Sequence, residues 1–318
     1  MPPQSAKSQQ RRRIEWTHGA IGLTLINLMR IVLSLLVLLG QAVGQPVASR
    51  DFTADGLFTR NIEGPEIDRA GRLFVVNFGK DGTVGLVHAD GRVERFVELP
   101  PGSTANAIKM ERAGTLLLAD YTGHNVLRLN PQTREVSVYV HGDGFNQPND
   151  FAIRRDDVLY ASDPNWSTST GKLWRIDPGG RIVLLEDRMG TTNGIELSPD
   201  ERTLYVAESV QRRIWTYDVD ETGGVSNKRL FASFPDHGLD GMKCDREGAL
   251  YVTRHGKGTV VVLSPRGTVL RELRLKGTQP SNLVFGGKDG RTVFVTMQDR
   301  GAIETFRANV PGRRWVRQ

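Results

Sequence analysis

Six copies of one short pattern, about 45 residues apart, constrain this chain more than any other feature. A polar turn holding Gly or Asp leads into a Leu-aromatic-Val type strand in AGRLFVV, AGTLLLA, DDVLYAS, ERTLYVA, EGALYVT and GRTVFVT. The anchors Leu73, Leu116, Leu159, Leu204, Leu250 and Val293 are separated by 43, 43, 45, 46 and 43 residues. A second strand follows each of them, in VGLVHAD, NVLRLNP, KLWRIDP, RIWTYDV, TVVVLSP and AIETFRA. Short β-branched and aromatic runs at this period, with no helical period after residue 50, are the signature of a β-propeller with four antiparallel strands per blade. The fold class is therefore all-β, a six-bladed β-propeller over residues 49–312, with an N-terminal apolar leader within residues 1–48 and a C-terminal tail at 313–318. The last copy ends at Ala308, short of a full blade, while Phe52–Arg60 precedes the first copy without a blade of its own. The N-terminal segment is expected to supply the outer strand of the last blade, closing the ring and removing an open edge.

Phase within the repeat locates the chemistry. Ten or eleven positions before the six anchors stand Glu63, Asn106, Asn149, Asn193, Asp240 and Asn282, every one an oxygen donor. Blades are related by rotation about a central axis, so equal phase means equal height, and these side chains are expected to meet at one mouth of the channel. Two carboxylates and several amide carbonyls are hard ligands that suit Ca²⁺ and also accept Mg²⁺, Mn²⁺ or Zn²⁺. Asn and Asp also favour turns for local reasons, but a turn preference does not account for Glu63.

The leader combines a basic, Pro/Gln-rich start (1–13) with an apolar run from Ala20 to Leu39 that Arg30 splits. Two readings fit it: a signal peptide beginning near Met29 and cleaved after Gly44, or a retained anchor with the Arg cluster held in the cytoplasm. Both place the propeller outside the cytoplasm, exported or membrane-anchored, with the membrane met only through the leader. Of the 42 Lys and Arg, five lie in the first 44 residues, against the single acid Glu15. The remainder is nearly neutral and offers no electrostatic footprint for nucleic acid. The single cysteine, Cys244, excludes an intramolecular disulfide, a cysteine-based zinc cluster and an iron–sulfur centre; it reads as a buried small hydrophobe.

Longer motifs carry a family resemblance. IEGPEID (62–68), QPNDFAI (147–153), LYASDP (159–164), TTNGIELSPDERTLYVAES (191–209), GLDGMKCDREGALYVT (238–253) and SNLVFGGKDGRTVFVT (281–296) resemble the senescence marker protein/gluconolactonase/luciferin-regenerating family across roughly residues 51–308. The resemblance implies a six-bladed propeller and a calcium-dependent lactonase. It also implies that Glu63, Asn149, Asn193 and Asp240 hold the divalent ion, a subset of the ring found by counting. Asp240 would act as the base, with Asp150 as the alternative. Some members carry an Arg two residues before the position of Asn149 to contact a sugar-like substrate; Gln147 stands there in this chain.

The expected function is metal-dependent opening of a small-molecule lactone, the metal acting as Lewis acid on the carbonyl. Asn106, Gln147, Trp166 and Asn282 are the candidate substrate contacts, although Asn106 and Asn282 also suit plain turns and Trp166 plain packing. His124, His237 and His255 read as loop histidines. Two alternatives stand beside the lactonase: a non-catalytic exported propeller whose ion ties the blades together, and an aryl-ester or phosphotriester hydrolase at the same metal.

Overall fold

A strand covered on both faces reads as an unbroken apolar run, and Leu116–Ala119 is one. The structure, a computed structural model, describes residues 48–314 and arranges them as six four-stranded antiparallel sheets around one axis. The basic start and apolar leader lie, save for Ala48, outside the described residues, as do 315–318. The strands are β1 (Arg50–Asp51), then β2 (Phe58–Ile67), β3 (Leu73–Phe78), β4 (Thr83–Val87) and β5 (Val93–Glu98) in the first blade. The second holds β6 (Ala105–Met110), β7 (Leu116–Asp120), β8 (Asn125–Leu129) and β9 (Val136–His141); the third β10 (Phe151–Ile153), β11 (Leu159–Asn165), β12 (Thr170–Ile176) and β13 (Ile182–Met189). The fourth holds β14 (Thr192–Leu197), β15 (Thr203–Glu208), β16 (Arg213–Val219) and β17 (Val225–Ser233); the fifth β18 (Met242–Cys244), β19 (Leu250–Arg254), β20 (Thr259–Leu263) and β21 (Val269–Arg274). The sixth consists of β22 (Pro280–Gly286), β23 (Thr292–Met297), β24 (Ala302–Arg307) and, outermost, β1. Each anchor residue opens or lies at the start of a second strand.

Six apolar clusters hold the ring, one between each pair of neighbouring blades, including Phe58, Ile62 and Val75 of blade 1 against Val284 and Phe294 of blade 6. Cys244 is buried in the cluster between blades 4 and 5, as its reading as a small hydrophobe requires. The outer strands lack a covering blade on one side, and Val138, Leu184, Leu230 and Val269 are exposed there.

The ring closes through the N-terminal segment, but with different bounds from those expected. The closing strand is Arg50–Asp51, paired to β24 with Arg50 opposite Thr305, and Phe52 N and Thr53 N both donate to Ile303 O. Phe58–Arg60 instead belongs to β2, because Glu63 must stand at the inner-strand phase and the chain before it continues as one ten-residue strand. Arg300 fastens the closure, ion-paired to Asp51 (2.7 Å), Asp55 (2.5 Å) and the wholly buried Glu304 (2.8 Å).

A second closure comes from the other terminus. Gly312 N donates to Gly290 O, Arg313 N to Cys244 O, and Arg246 N to Pro311 O. Arg313 reaches Glu196, Glu201 and Ile153 O, while Arg314 reaches Glu66 and Met110 O. Residues 311–314 thus bond to all six blades. The first residues of the segment expected as a tail form an arm across one end of the channel.

Candidate functional site

All six phase-matched residues fall where the innermost strands are irregular. The pairing register breaks at Glu63 in β2, across Asn106 in β6, at Asn193 in β14 and across Asn282 in β22. In blades 3 and 5 the innermost strand is only three residues long, and Asn149, Asp150 and Asp240 precede it. A bulge re-aims a side chain out of the pleat, and here the irregularity turns oxygen donors toward the axis.

Three of the ring members are followed by glycine, and packing explains why. A Cβ on Gly194 would lie 2.0 Å from Asp240 O, one on Gly241 2.2 Å from the Asn282 side chain, and one on Gly64 2.7 Å from Ala107 Cα. Each innermost strand therefore touches the next blade immediately beyond its donor. Gly64 also has φ +54°, left-handed backbone that favours glycine, and its N–H turns back to donate to Glu63 Oε2 at 2.7 Å.

Convergence is direct for most of the ring. Asn282 Nδ2 donates to Glu63 Oε2 at 2.9 Å and to Asp150 Oδ2 at 3.3 Å. The Asp240 carboxylate lies close to Asn193, Glu63 and Asp150. Asn149 Oδ1 is buried without a hydrogen-bond partner. Asn106 turns sideways, its Nδ2 donating to Asn149 O at 3.3 Å. Asn282 and Asn106 thus spend amide N–H groups on holding neighbours in place.

Burial and the nearby Asp150 charge push the Glu63 carboxyl up to about 7. Burial and the charges of Glu63 and Asp150 push Asp240 well above its ordinary value. Among the described residues no group of three His, Cys, Asp or Glu side chains is drawn together as a metal cluster. The set of Glu63, Asn149, Asn193 and Asp240, two carboxylates and two amides at one phase of the repeat, nevertheless fits a hard cation. It has acids that repel one another, an amide oxygen with nothing to accept, and only oxygen donors. Such a site predicts its own pH behaviour. A carboxyl whose folded value is raised costs the fold stability once the pH passes its unfolded value, near 4.5 for Glu63. Chelator-treated protein is therefore expected to melt progressively lower as pH rises from about 4.5 through about 7. Added Ca²⁺ should restore the loss. A melting temperature that is flat or climbs over that range would contradict the geometry.

The loop carrying Gln147 and Asn149 is anchored by a residue that sequence reasoning missed. Buried Asp163 accepts Asn146 N (3.0 Å), Gln147 N (2.5 Å) and Trp174 Nε1 (2.8 Å). Trp166 lies in the connection from β11 to β12 on the same mouth and is 45% exposed. His124 Nδ1 lies 3.1 Å from Phe145 O and His255 Nε2 3.0 Å from Gln298 Oε1, both in peripheral loops. Two buried lysines were also missed: Lys109 and Lys243, whose Nζ atoms lie 3.8 and 3.9 Å from Asp150. Their signal was present, since each sits in an otherwise apolar inner strand three residues after a ring member.

Known proteins resemble the chain over the same region. The profile of the SMP-30/gluconolactonase/LRE-like region matches residues 62–299. A gluconolactonase of Zymomonas mobilis is 32% identical over 221 residues, which is 62% of this chain and 61% of that protein. A pentonolactonase of Haloferax volcanii is 33% identical over 132 residues, 41% of this chain and 45% of its own length. A regucalcin of Xenopus laevis is 27% identical over 256 residues, 63% of this chain and 85% of its own length. Among solved structures, the calcium-binding protein regucalcin of Agrobacterium tumefaciens superposes with a TM-score of 0.73 at 20% identity, covering 84% of this chain and 95% of that one; at that identity the likeness concerns the fold.

Proposed function

The chain belongs to the SMP-30/gluconolactonase/LRE-like family, and on that premise we propose that it is a divalent-cation-dependent hydrolase, with Ca²⁺ its cation, that opens small-molecule lactones. The observation that carries the reading is the meeting of Glu63 and Asp240, together with an Asn149 oxygen at the same phase of the repeat that is buried without a partner. Relatives named gluconolactonase and pentonolactonase support the substrate class, and relatives named regucalcin support the cation.

Glu63, Asn149, Asn193 and Asp240 would hold the ion. When bound, it supplies Lewis acidity that stabilises the charge developing on the carbonyl oxygen. Asp240 takes the proton of the attacking water and returns it to the departing alkoxide, so ring opening leaves a hydroxy acid. Asn282 fixes Glu63 and Asp150 through its amide, while Asp163 holds the backbone at Asn146 and Gln147, in the loop that leads to Asn149. Gln147 and Trp166 are the substrate contacts of the rim. Exposed Trp166 also favours aryl esters as a second substrate class. On the leader's pattern the propeller works outside the cytoplasm.

The test is pH-stat titration of the protein against aldonolactones, alkyl lactones and aryl esters, with Ca²⁺ and with chelator. Lactone turnover that stops in chelator and returns with Ca²⁺ is expected. No turnover on any member of the panel, with Ca²⁺ still raising the melting temperature, would leave a propeller with a structural ion.

A further inference from the structure

One level further along the axis, each blade's innermost strand adds a residue to a second cavity wall. Glu66, Lys109, Glu196, Lys243 and Phe285 stand three residues after Glu63, Asn106, Asn193, Asp240 and Asn282, and in the third blade Ile153 stands four after Asn149. All four charged members are buried, and they line a cavity of about 620 Å³. This cavity opens on the face opposite the upper ring. Its walls include the turns joining innermost to second strands, at Arg69, Arg112 and Arg155, and the C-terminal arm.

Charge in this cavity does not balance: eight basic side chains line it against six acidic ones. The arm takes the two innermost-strand acids of this wall, with Arg313 Nε 2.8 Å from Glu196 and Arg314 Nη1 3.4 Å from Glu66. Lys243 Nζ donates to Met242 O at 2.8 Å and Asn282 Oδ1 at 3.2 Å. Lys109 Nζ makes one hydrogen bond, to Ile108 O at 3.2 Å, and the carboxylates of Glu66 and Asp150 stand off at 3.7 and 3.8 Å. An ammonium carries three donors, so Lys109 has two unspent N–H groups in a buried wall, where polar groups are ordinarily satisfied. Burial first, and then the Lys243 ammonium, hold the Lys109 amine below its ordinary value against the pull of Asp150, Glu66 and Glu196.

We propose that the lower cavity binds a small organic monocarboxylate, its two oxygens accepting the free Lys109 donors and its carbon chain lying on Met110, Ile153 and Phe285. A monocarboxylate offsets one of the two excess positive charges, and its two oxygens match the two unspent Lys109 donors. The apolar wall gives a carbon chain something to cover, which a bare inorganic anion would leave unused. Since Lys109 and Lys243 also face Asp150 from below, the bound carboxylate would compete with Asp150 for them and so couple the two faces of the propeller.

Isothermal titration of the full chain with sodium hexanoate, in the presence of Ca²⁺, is expected to give saturable binding. Lys109→Met should weaken it at least ten-fold. Met110→Trp, which narrows the cavity without touching an ammonium, should do the same while keeping a cooperative melting transition. No saturable binding to the unaltered chain overturns the proposal, and so does binding that neither variant weakens. Inorganic phosphate that binds more tightly than hexanoate overturns the carboxylate assignment. Hexanoate binding that chelator abolishes but Met110→Trp leaves intact would belong to the upper ring and also overturn it.

Discussion

Asp240→Asn is expected to lower lactone turnover by roughly 10³-fold or more while leaving the calcium-induced rise in melting temperature largely in place. The amide keeps an oxygen toward the ion and keeps the volume, so the ring should still assemble around Ca²⁺. It cannot accept a proton from water. Glu63→Gln probes the complementary role: its carboxylate has no place in proton transfer, so its loss should raise the Ca²⁺ concentration needed for activity and leave much of the turnover at saturating Ca²⁺. Asp150→Asn should fall between them, because that carboxylate steadies Asn282 from 3.3 Å and faces two lysines. The readout is the rate at saturating Ca²⁺ set beside the Ca²⁺ dependence of both rate and melting temperature. Asp240→Asn that keeps turnover within ten-fold of the unaltered chain would make Asp240 a ligand only and hand the base to Asp150.

The ring was legible because rotation about an axis converts repeat phase into height, so six oxygen donors at one phase must stand at one level of the channel. Its finer geometry was also written in the chain. Glycine directly after Glu63, Asn193 and Asp240 marks where innermost strands touch, and in five of the six blades the lower cavity wall follows the ring at an offset of three. Closure was legible in kind but not in position. The pattern of Phe58–Ile67 does not tell where an innermost strand starts, and a two-residue strand such as Arg50–Asp51 carries no period at all. What periodicity cannot reveal are contacts made once. Asp163 supports its loop through backbone amides that any residue offers, and Arg313 meets Glu196 across 117 positions of sequence with no counterpart in another blade.

That single contact carries the second large prediction: Arg313→Ala should destabilise the propeller by about 3–5 kcal/mol. The guanidinium is buried and lies 2.8 Å from Glu196 and 3.3 Å from Glu201, with Nη2 donating to Ile153 O at 3.2 Å. Removing it leaves the Glu196 carboxylate buried with Leu197 N as its remaining donor, at 2.7 Å. Desolvation, not the lost attraction, makes the loss large, since an uncompensated buried charge is worse than no charge. Two comparisons separate this cause from simple loss of the arm. Arg314→Ala removes a neighbour on the same arm whose side chain is 33% exposed, and it should cost no more than about 1 kcal/mol. The double change Arg313→Met with Glu196→Leu removes both charges and should recover most of the loss, even if Arg313→Ala alone fails to fold. Denaturant midpoints for the four proteins decide the matter. A double variant as unstable as Arg313→Ala would mean that the arm's shape, and not its charge, ties the blades together.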